Sequence, residues 1–525
     1  MCCYAWEQYR VCDHDLCFVQ AWSYTGRISE YTVSIDKLTA DQVPLNPAFN
    51  STQVLSALNH LTAEHLIIST ETNLPRKAPR SNLDLLKSIA PDLQSQELES
   101  PTIPSLTNLI LVDNSSGRFA AEITSPPNAT RRYEDVVEDG GAGRPLRDQG
   151  LSADEVVNIQ FTSGTTSMPK AAMLSHRSIL NNGYYIGSRM RLTQEDIVCC
   201  PPPLFHCFGC ILGYMATATH GAGIVFPTEA FDPEATLRAV QEYKCTALYG
   251  VPTMFIAELE LLADGVVSRD GLNQLRTGIA AGSSIPAELM RKLHKQLNLT
   301  ELTICYGMTE TSPVSFMTTT DDPIDKRIDS VGQLLPHTKA KVVNPADWSQ
   351  VLPVGERGEL AVSGYLVMKG YWGDEKKTSE VLVPDENGEV WMHTGDEAAM
   401  DAEGYVKITG RIKDLIIKGG ENIHPLEVEN CLLAHDAIND VSVVGLPDER
   451  YGEAVAAFVV RKHGEAGDKL SSEEVRRWVR EKLSHHLVPK YIFWVDGYPK
   501  TASGKIQKFK LRETGVQLVR EGQGS

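Results

Sequence analysis

The sequence predicts an α/β fold: a mostly parallel sheet covered by helices, then antiparallel strands, then a small α+β unit. Three observations predict it. From Val156 onward, short apolar runs alternate with helical patterns, the signature of parallel strands joined by crossover helices. Past about residue 340 the runs shorten and glycines bound them, which reads as antiparallel strands of a barrel-like subdomain. Beyond Arg411 a compact block mixes strands with a capped amphipathic helix.

The elements follow in chain order. Residues 113–150 are polar and rich in Gly, Pro, Arg and Asp, and read as a long loop. Val156-Val-Asn-Ile-Gln-Phe161 reads as a strand, Gly223-Ile-Val-Phe226 as another, Pro233 to Tyr243 as a helix and Cys245 to Tyr249 as the next strand. Ile285, Leu289, Leu293 and Leu297 recur every four residues behind Ser284 and Pro286, an apolar helical face with start signals. Leu302 to Tyr306 follows as a strand. Gly358 to Gly364 and Glu403 to Ile408 are the glycine-bounded runs. In the last block, Ser471 and Glu474 make a capping box. Val475, Trp478, Val479 and Leu483 share one helical face, with strands near 440–446, 454–460 and 491–495.

Bulk properties narrow the function. The net charge of −18 and pI near 5.3 argue against a nucleic-acid partner, which needs a basic face. Glu7, Arg10, Asp13 and Asp15 interrupt the first apolar residues, so no secretory leader is expected. The apolar stretch 199–226 carries prolines, histidines and glycines, so no stable membrane insertion is expected. The eleven cysteines form no regular framework, which suits a reducing compartment. Cys207 and Cys210 make a CxxC with Cys199 and Cys200 upstream; a metal or redox site and buried structural thiols are both open.

Five motifs carry chemistry. Phe161 to Lys170 contains Thr162, Ser163, Gly164, Thr165, Thr166 and Ser167, a strand running into small hydroxyl residues and ending in Lys170. Backbone N–H groups, hydroxyls and a lysine suit phosphate oxygens, but a solvated Ser/Thr turn has the same composition. Tyr306-Gly307-Met308-Thr309-Glu310-Thr311 follows a strand, where open α/β sheets bind ligands. Glu310 beside hydroxyls suits Mg²⁺ with phosphates; a helix start capped by Thr309 is the alternative. Thr394-Gly395-Asp396 offers a carboxylate to a diol or is an ordinary turn. Gly410 to Pro425 joins charge, an apolar run and the pair Gly419-Gly420, which reads as a hinge before a close-approach loop or as a strand and tight turn. Pro499 to Lys505 is a small-residue loop presenting a lysine.

Taken in order, these motifs closely resemble those of the adenylate-forming (AMP-binding) superfamily of acyl- and aryl-CoA ligases, luciferases and peptide-synthetase adenylation domains. Pro202-Pro-Leu-Phe-His206 and Gly250-Val-Pro-Thr253 look most like fungal medium-chain-type acyl-CoA ligases. The resemblance implies a large N-terminal domain of sandwiched, mostly parallel sheets plus a β-barrel-like subdomain, and a small mobile α+β C-terminal domain. The implied division is an atypical segment 1–43, an AMP-binding domain 44–411 and a mobile domain 412–525. It also implies the cofactors ATP, Mg²⁺ and coenzyme A and a small carboxylic acid substrate.

Residue by residue, the resemblance makes Thr162 to Lys170 the phosphate loop. Gly282, Tyr306, Gly307 and Met308 flank adenine and the acyl group. Thr309 contacts phosphate, Glu310 is the metal ligand, and Asp396 and Arg411 hold the ribose. Lys505 is the adenylation lysine, bridging the substrate carboxylate and the α-phosphate. His206 is a gate near the acyl carboxylate or a packed histidine. Lys413 matches the hinge, and Gly419, Gly420 and Glu421 the pantetheine channel. Ser167 and Ala171 stand where the family usually has glycine, which implies a tuned loop. Pro44 to Phe49 resembles a segment that in the family follows a longer lead, which implies a truncated or replaced first subdomain.

The implied reaction is formation of acyl-AMP and pyrophosphate, then acyl-CoA and AMP, in fungal secondary or siderophore metabolism. The alternatives are an acyl-AMP ligase loading a carrier protein and a catalytically silent ATP-binding protein. Medium-chain, short branched or hydroxylated and polyketide-type acids stay open as substrates, and a pathway acyltransferase or synthase and a second copy of the chain as partners. The expected location is intracellular, cytoplasmic or peroxisomal.

Overall fold

The computed structural model describes residues 16–21, 40–75, 77–93, 95–118, 130–140, 151–162, 169–282, 285, 287–500 and 506–524. Three sheets build the larger part. The first orders Gly370–Tyr371, Lys170–Ser175, Val156–Thr162, Ala40–Leu45, Leu16–Ala21, His65–Ser69, Asn108–Val112 and Thr130–Arg132. It is parallel from Val156–Thr162 outward to Thr130–Arg132, while Lys170–Ser175 and Gly370–Tyr371 add antiparallel at the other edge.

The second sheet orders Gly223–Val225, Ile197–Cys199, Ala247–Gly250, Thr277–Ala280, Glu301–Gly307, Val314–Met317 and Gln333–Leu334. Its first five strands are parallel, as the alternation of strands and helices predicts. The Ala287–Leu297 helix covers it with Leu289, Leu293 and Leu297 buried and Ile285 packed alongside. Each such side chain contributes about 1.5–3 kcal/mol by leaving water. The neighbouring Pro252–Ala263 helix breaks the rule of apolar burial: Glu258 is fully buried and neither carboxylate oxygen has a hydrogen-bond partner among the described residues.

The third sheet is antiparallel throughout: Asp347–Val351, Thr338–Asn344, Gly358–Gly364, Val390–Met400 and Leu382–Pro384, with Val406–Arg411 on the flank of Val390–Met400. The C-terminal block has its own sheet of Glu421–Ile423, Ile416–Lys418, Gly452–Arg461 and Ile438–Asp448, plus Tyr491–Trp494 parallel to Gly452–Arg461. The Ser472–Lys482 helix starts on Ser471, whose side chain accepts from the Glu474 N–H at 3.2 Å. Val475 and Val479 are buried beneath it, and Trp478 and Leu483 pack on the same cluster. This block meets the rest chiefly where the Pro425–Leu433 helix lies against Val406–Arg411. His424 Nδ1 adds a contact of 3.3 Å to Glu397 Oε2.

One expectation needs correction. The stretch 113–150 is not loop throughout: Thr130–Arg132 is a strand and Tyr133–Gly140 a helix. The strand completes the first sheet beside Asn108–Val112, Thr130 Oγ1 donates to the Leu93 carbonyl at 3.1 Å, and Tyr133 is buried. A polar edge strand gains its order from its neighbour, which local composition does not reveal. The strand expected at Glu403 to Ile408 runs Val406–Arg411, and the Cys245 to Tyr249 strand begins at Ala247.

Candidate active site

The Glu301–Gly307 strand ends in a bulge at Tyr306 and Gly307, where a Cβ on Gly307 would lie 1.7 Å from the Pro313 carbonyl oxygen. Only glycine lets the chain turn so tightly against itself. Thr309–Thr311 then forms a single 3-10 turn with Met308, not Thr309, at its start. Thr311 Oγ1 pins that turn, accepting from the Met308 N–H at 3.0 Å and donating to the Pro313 carbonyl at 2.7 Å. The turn holds Glu310 buried between two sheets.

Glu310 is held twice from the segment around Tyr371. The Met368 N–H donates to its carbonyl at 3.0 Å, and the Tyr371 hydroxyl donates to Oε1 at 2.7 Å. Burial, then the adjacent Glu310 charge, pushes the Tyr371 phenol far above its usual range, so it stays a donor. Lys170 opens the neighbouring strand, and its Nζ lies 4.7 Å from the centroid of the Tyr371 ring. Thr309 is buried, with Oγ1 3.8 Å from Cys207 Sγ. Next to it, His206 Nδ1 accepts from the Phe208 N–H at 3.2 Å. A neutral His206 therefore carries its proton on Nε2. A π-helix, Phe208–Met215, follows directly. Cys207 and Cys210 are buried in one apolar cluster, and burial raises the Cys200 thiol upstream.

Asp396 and Arg411 face each other across paired strands of the third sheet. Arg411 Nε lies 3.1 Å from Asp396 Oδ1, and the Tyr306 hydroxyl donates to Asp396 Oδ2 at 2.6 Å. Asp396, first among its neighbours, raises the Arg411 pKa; burial, then Asp396, raises the Tyr306 phenol. Thr394 Oγ1 accepts from the Asp396 N–H at 3.1 Å and donates to the Leu360 carbonyl, fixing the irregularity that Thr394-Gly395-Asp396 makes within the Val390–Met400 strand.

The structure thus gathers Lys170, His206, Tyr306, Gly307, Met308, Thr309 and Glu310 around the end of one strand, with Asp396 and Arg411 joined to them through Tyr306. Gly282 lies past the adjacent strand at φ +93°, beside Val251. Lys413 sits in the 3-10 turn Ile412–Asp414. Gly419 and Gly420, at φ +63° and +89°, form the tip of the hairpin between Ile416–Lys418 and Glu421–Ile423. The Gly419 N–H donates to the Tyr451 carbonyl at 2.7 Å, and Glu421 Oε2 lies 3.6 Å from His486 Nε2. Ser163, Gly164, Thr165, Thr166, Ser167 and Lys505 lie outside the described residues. The ends of their two loops are close: Thr162 pairs with Lys170, and Lys500 bridges to Ile506.

Sequence reasoning missed Tyr371 and the contact between Glu397 and His424. Tyr371 stands in Met368-Lys-Gly-Tyr-Trp372, where an aromatic residue reads as core. Only the strand pairing brings it to Lys170 and Glu310.

The family model of AMP-binding enzymes matches residues 31–372, and that of the AMP-binding enzyme C-terminal domain matches residues 427–505. The chain belongs to the AMP-binding enzyme family. It is 44% identical over 512 residues to acyl-CoA ligase SID4 of Ajellomyces capsulatus, covering 94% of this chain and 82% of that protein. It is 39% identical over 477 residues to the mitochondrial medium-chain acyl-CoA ligase ACSF2 of Danio rerio, covering 90% and 75%. ATP-bound MatB from Rhodopseudomonas palustris superposes with a TM-score of 0.80 at 25% identity, over 97% of this chain and 90% of MatB. This AMP-binding enzyme is an AMP-forming acyl-CoA ligase, acting on a small carboxylic acid with ATP, Mg²⁺ and coenzyme A. These relatives do not favour the carrier-protein or silent alternatives. Among the described residues no helix is long and apolar enough to cross a membrane.

The residues present fit a divalent cation. Glu310 is a buried hard-oxygen donor whose Oε1 is engaged by Tyr371, and Oε2 takes no hydrogen bond from the described residues.

Proposed function

We propose that this ligase carries out both half-reactions with the residues gathered around Glu310 and Asp396. The substrate carboxylate attacks the α-phosphorus of ATP and the bond to the β-phosphate oxygen breaks, giving acyl-AMP and pyrophosphate. The coenzyme A thiolate then attacks the acyl carbon, AMP leaves, and the thiol proton passes to solvent. Mg²⁺, held by Glu310, supplies charge neutralisation at the phosphates. Thr309, Lys170 and the hydroxyls from Thr162 to Ser167 bind phosphate oxygens, and Asp396 with Arg411 takes the ribose hydroxyls. Gly282, Tyr306, Gly307 and Met308 line the adenine and acyl side, where His206 offers Nε2–H to the carboxylate.

Lys505 bridges carboxylate and α-phosphate, placing a positive charge where negative charge builds in the in-line displacement. The unit 412–525 turns at Lys413 and brings Gly419, Gly420 and Glu421 to the pantetheine arm for the second step; residues 44–411 form the AMP-binding domain. The observation that carries the reading is the pairing of a buried, hydrogen-bonded Glu310 with the Tyr306–Asp396–Arg411 clamp at the end of one parallel strand. The similarity to SID4 supports a place in siderophore or other secondary metabolism; the site of action proposed with it is the cytoplasm or peroxisome.

Separate assays of the two half-reactions test this. Lys505→Ala is expected to abolish acid-dependent exchange of pyrophosphate into ATP while largely sparing thioester formation from supplied acyl-AMP. Normal exchange in that variant would overturn the assignment. A panel of medium-chain, branched and hydroxylated acids, scored for coenzyme A-dependent AMP release, identifies the acid.

A further inference from the structure

We infer that Tyr371 is a positioning residue that reserves one oxygen of Glu310 for the cation and thereby sets which cation the site accepts. The inference rests on the reading of Glu310 as the metal ligand. Tyr371 reaches the site on the two-residue edge strand Gly370–Tyr371, whose register places it opposite Ala172. Cross-strand partners share a face, and so does the residue two positions along, so Tyr371 and Lys170 project to the same side.

The strand is fastened tightly around them. The Lys369 N–H donates to the Met173 carbonyl at 2.9 Å and the Trp372 N–H to the Ala171 carbonyl at 2.8 Å, while the Tyr371 N–H donates to Thr378 Oγ1 at 2.9 Å. Gly370 has φ +141°, and a Cβ there would meet Thr378 Cγ2 at 3.0 Å. The phenol is therefore placed by the sheet, not by its own rotamer freedom. It donates to Oε1 from a buried position, and its ring face carries the Lys170 ammonium.

A carboxylate with one oxygen already hydrogen-bonded offers a cation the other. Mg²⁺ and Mn²⁺ take single carboxylate oxygens together with phosphate oxygens and water. Ca²⁺ is larger and favours more ligands, often both oxygens of one carboxylate. Tyr371 thus disfavours Ca²⁺ by occupying the oxygen that a bidentate contact needs, and holds the Lys170 ammonium at its own ring face.

Electron paramagnetic resonance titration of Mn²⁺ tests this on the full-length enzyme bound to the α,β-methylene analogue of ATP, with Ca²⁺ as competitor. Tyr371→Phe keeps the ring and removes the donor. It is expected to bind Mn²⁺ about tenfold more weakly, the scale for losing a hydrogen bond behind a metal ligand, and to yield more readily to Ca²⁺. Mn²⁺ affinity and Ca²⁺ competition both equal to those of the parent enzyme would overturn the inference. Glu310→Gln separates it from the reading beneath: parental Mn²⁺ binding in that variant removes Glu310 as ligand. Lost binding there with parental behaviour in Tyr371→Phe removes only the role of Tyr371. Should Tyr371→Phe fail to fold, 3-fluorotyrosine at position 371 keeps the size and strengthens the donor. It is expected to raise Mn²⁺ preference over Ca²⁺, and an unchanged preference would overturn the inference.

Discussion

Replacing Glu258 by methionine is expected to stabilise the enzyme. The carboxylate lies in the Pro252–Ala263 helix, fully buried, with both oxygens unpartnered among the described residues. Phe255, Leu259 and Leu262 of the same helix are buried in the apolar cluster on this side of the sheet, and the nearby Cys199 thiol is raised by burial, then by Cys245 and Glu258. Methionine has similar length and no group to leave unsatisfied. A buried polar group without a partner costs about 1–3 kcal/mol even when uncharged, which sets the floor of the gain.

Ionisation adds to it. Burial raises the folded-state pKa of Glu258 well above the usual 4.5, so the folded chain holds this proton more tightly than the unfolded one. Stability from this group is full below the unfolded pKa and falls as pH rises, by about 1.4 kcal/mol per unit until the folded pKa is passed. The variant lacks that loss. Its advantage should be smallest near the unfolded pKa and grow as pH rises above it, until the folded-state pKa is passed. A gain of about 2 kcal/mol corresponds to about 4 °C in the melting midpoint of a large domain. Differential scanning calorimetry of both proteins at one scan rate, across roughly pH 5.5–8.5, reads this directly. A variant that melts at or below the parent at neutral pH, or an advantage that does not change with pH, refutes the reasoning.

Asp396→Asn keeps the shape of the clamp but removes the charge that pairs with Arg411. Hydrogen bonds to charged groups contribute about 1.5–3 kcal/mol, so the KM for ATP should rise about tenfold to hundredfold in initial-rate assays. His424→Ala removes the side-chain contact to Glu397 across the 412–414 turn and should speed limited proteolysis of that turn about tenfold; unchanged cleavage would show that the contact does not hold the block. Gly278→Ala would set a Cβ 2.0 Å from the Leu248 carbonyl oxygen on the adjoining strand. A loss of about 3 kcal/mol or more is expected by denaturant titration.

How far the sequence reveals this arrangement depends on the range of the interaction. The Ala287–Leu297 helix was legible because its spacing and its burial express the same local geometry. Glu310, Asp396 and Arg411 were legible because each stands inside a short motif that the sequence singles out by its chemistry, Glu310 and Arg411 at or just past strand ends and Asp396 at an irregularity within a strand. Tyr371 was not: its meaning comes from pairing with a strand far away in the chain. Glu258 and Glu260 look alike in the sequence, yet one is fully buried and the other exposed, since two positions along a helix turn a side chain to another face. The 130–140 segment was hidden for a related reason, its order being supplied by a neighbouring strand.

Arg411 is the last residue of its strand, still in register with Asp396, and the 412–414 turn begins at the next position. A rotation taken up in that turn pivots beyond the ion pair without dragging it. On the proposed reading, nucleotide grip and domain swing are therefore mechanically insulated, although they are adjacent in the chain. On that reading one bound nucleotide serves through both chemical steps, and lengthening or stiffening the turn should alter the timing of the cycle before it alters how well ATP is held.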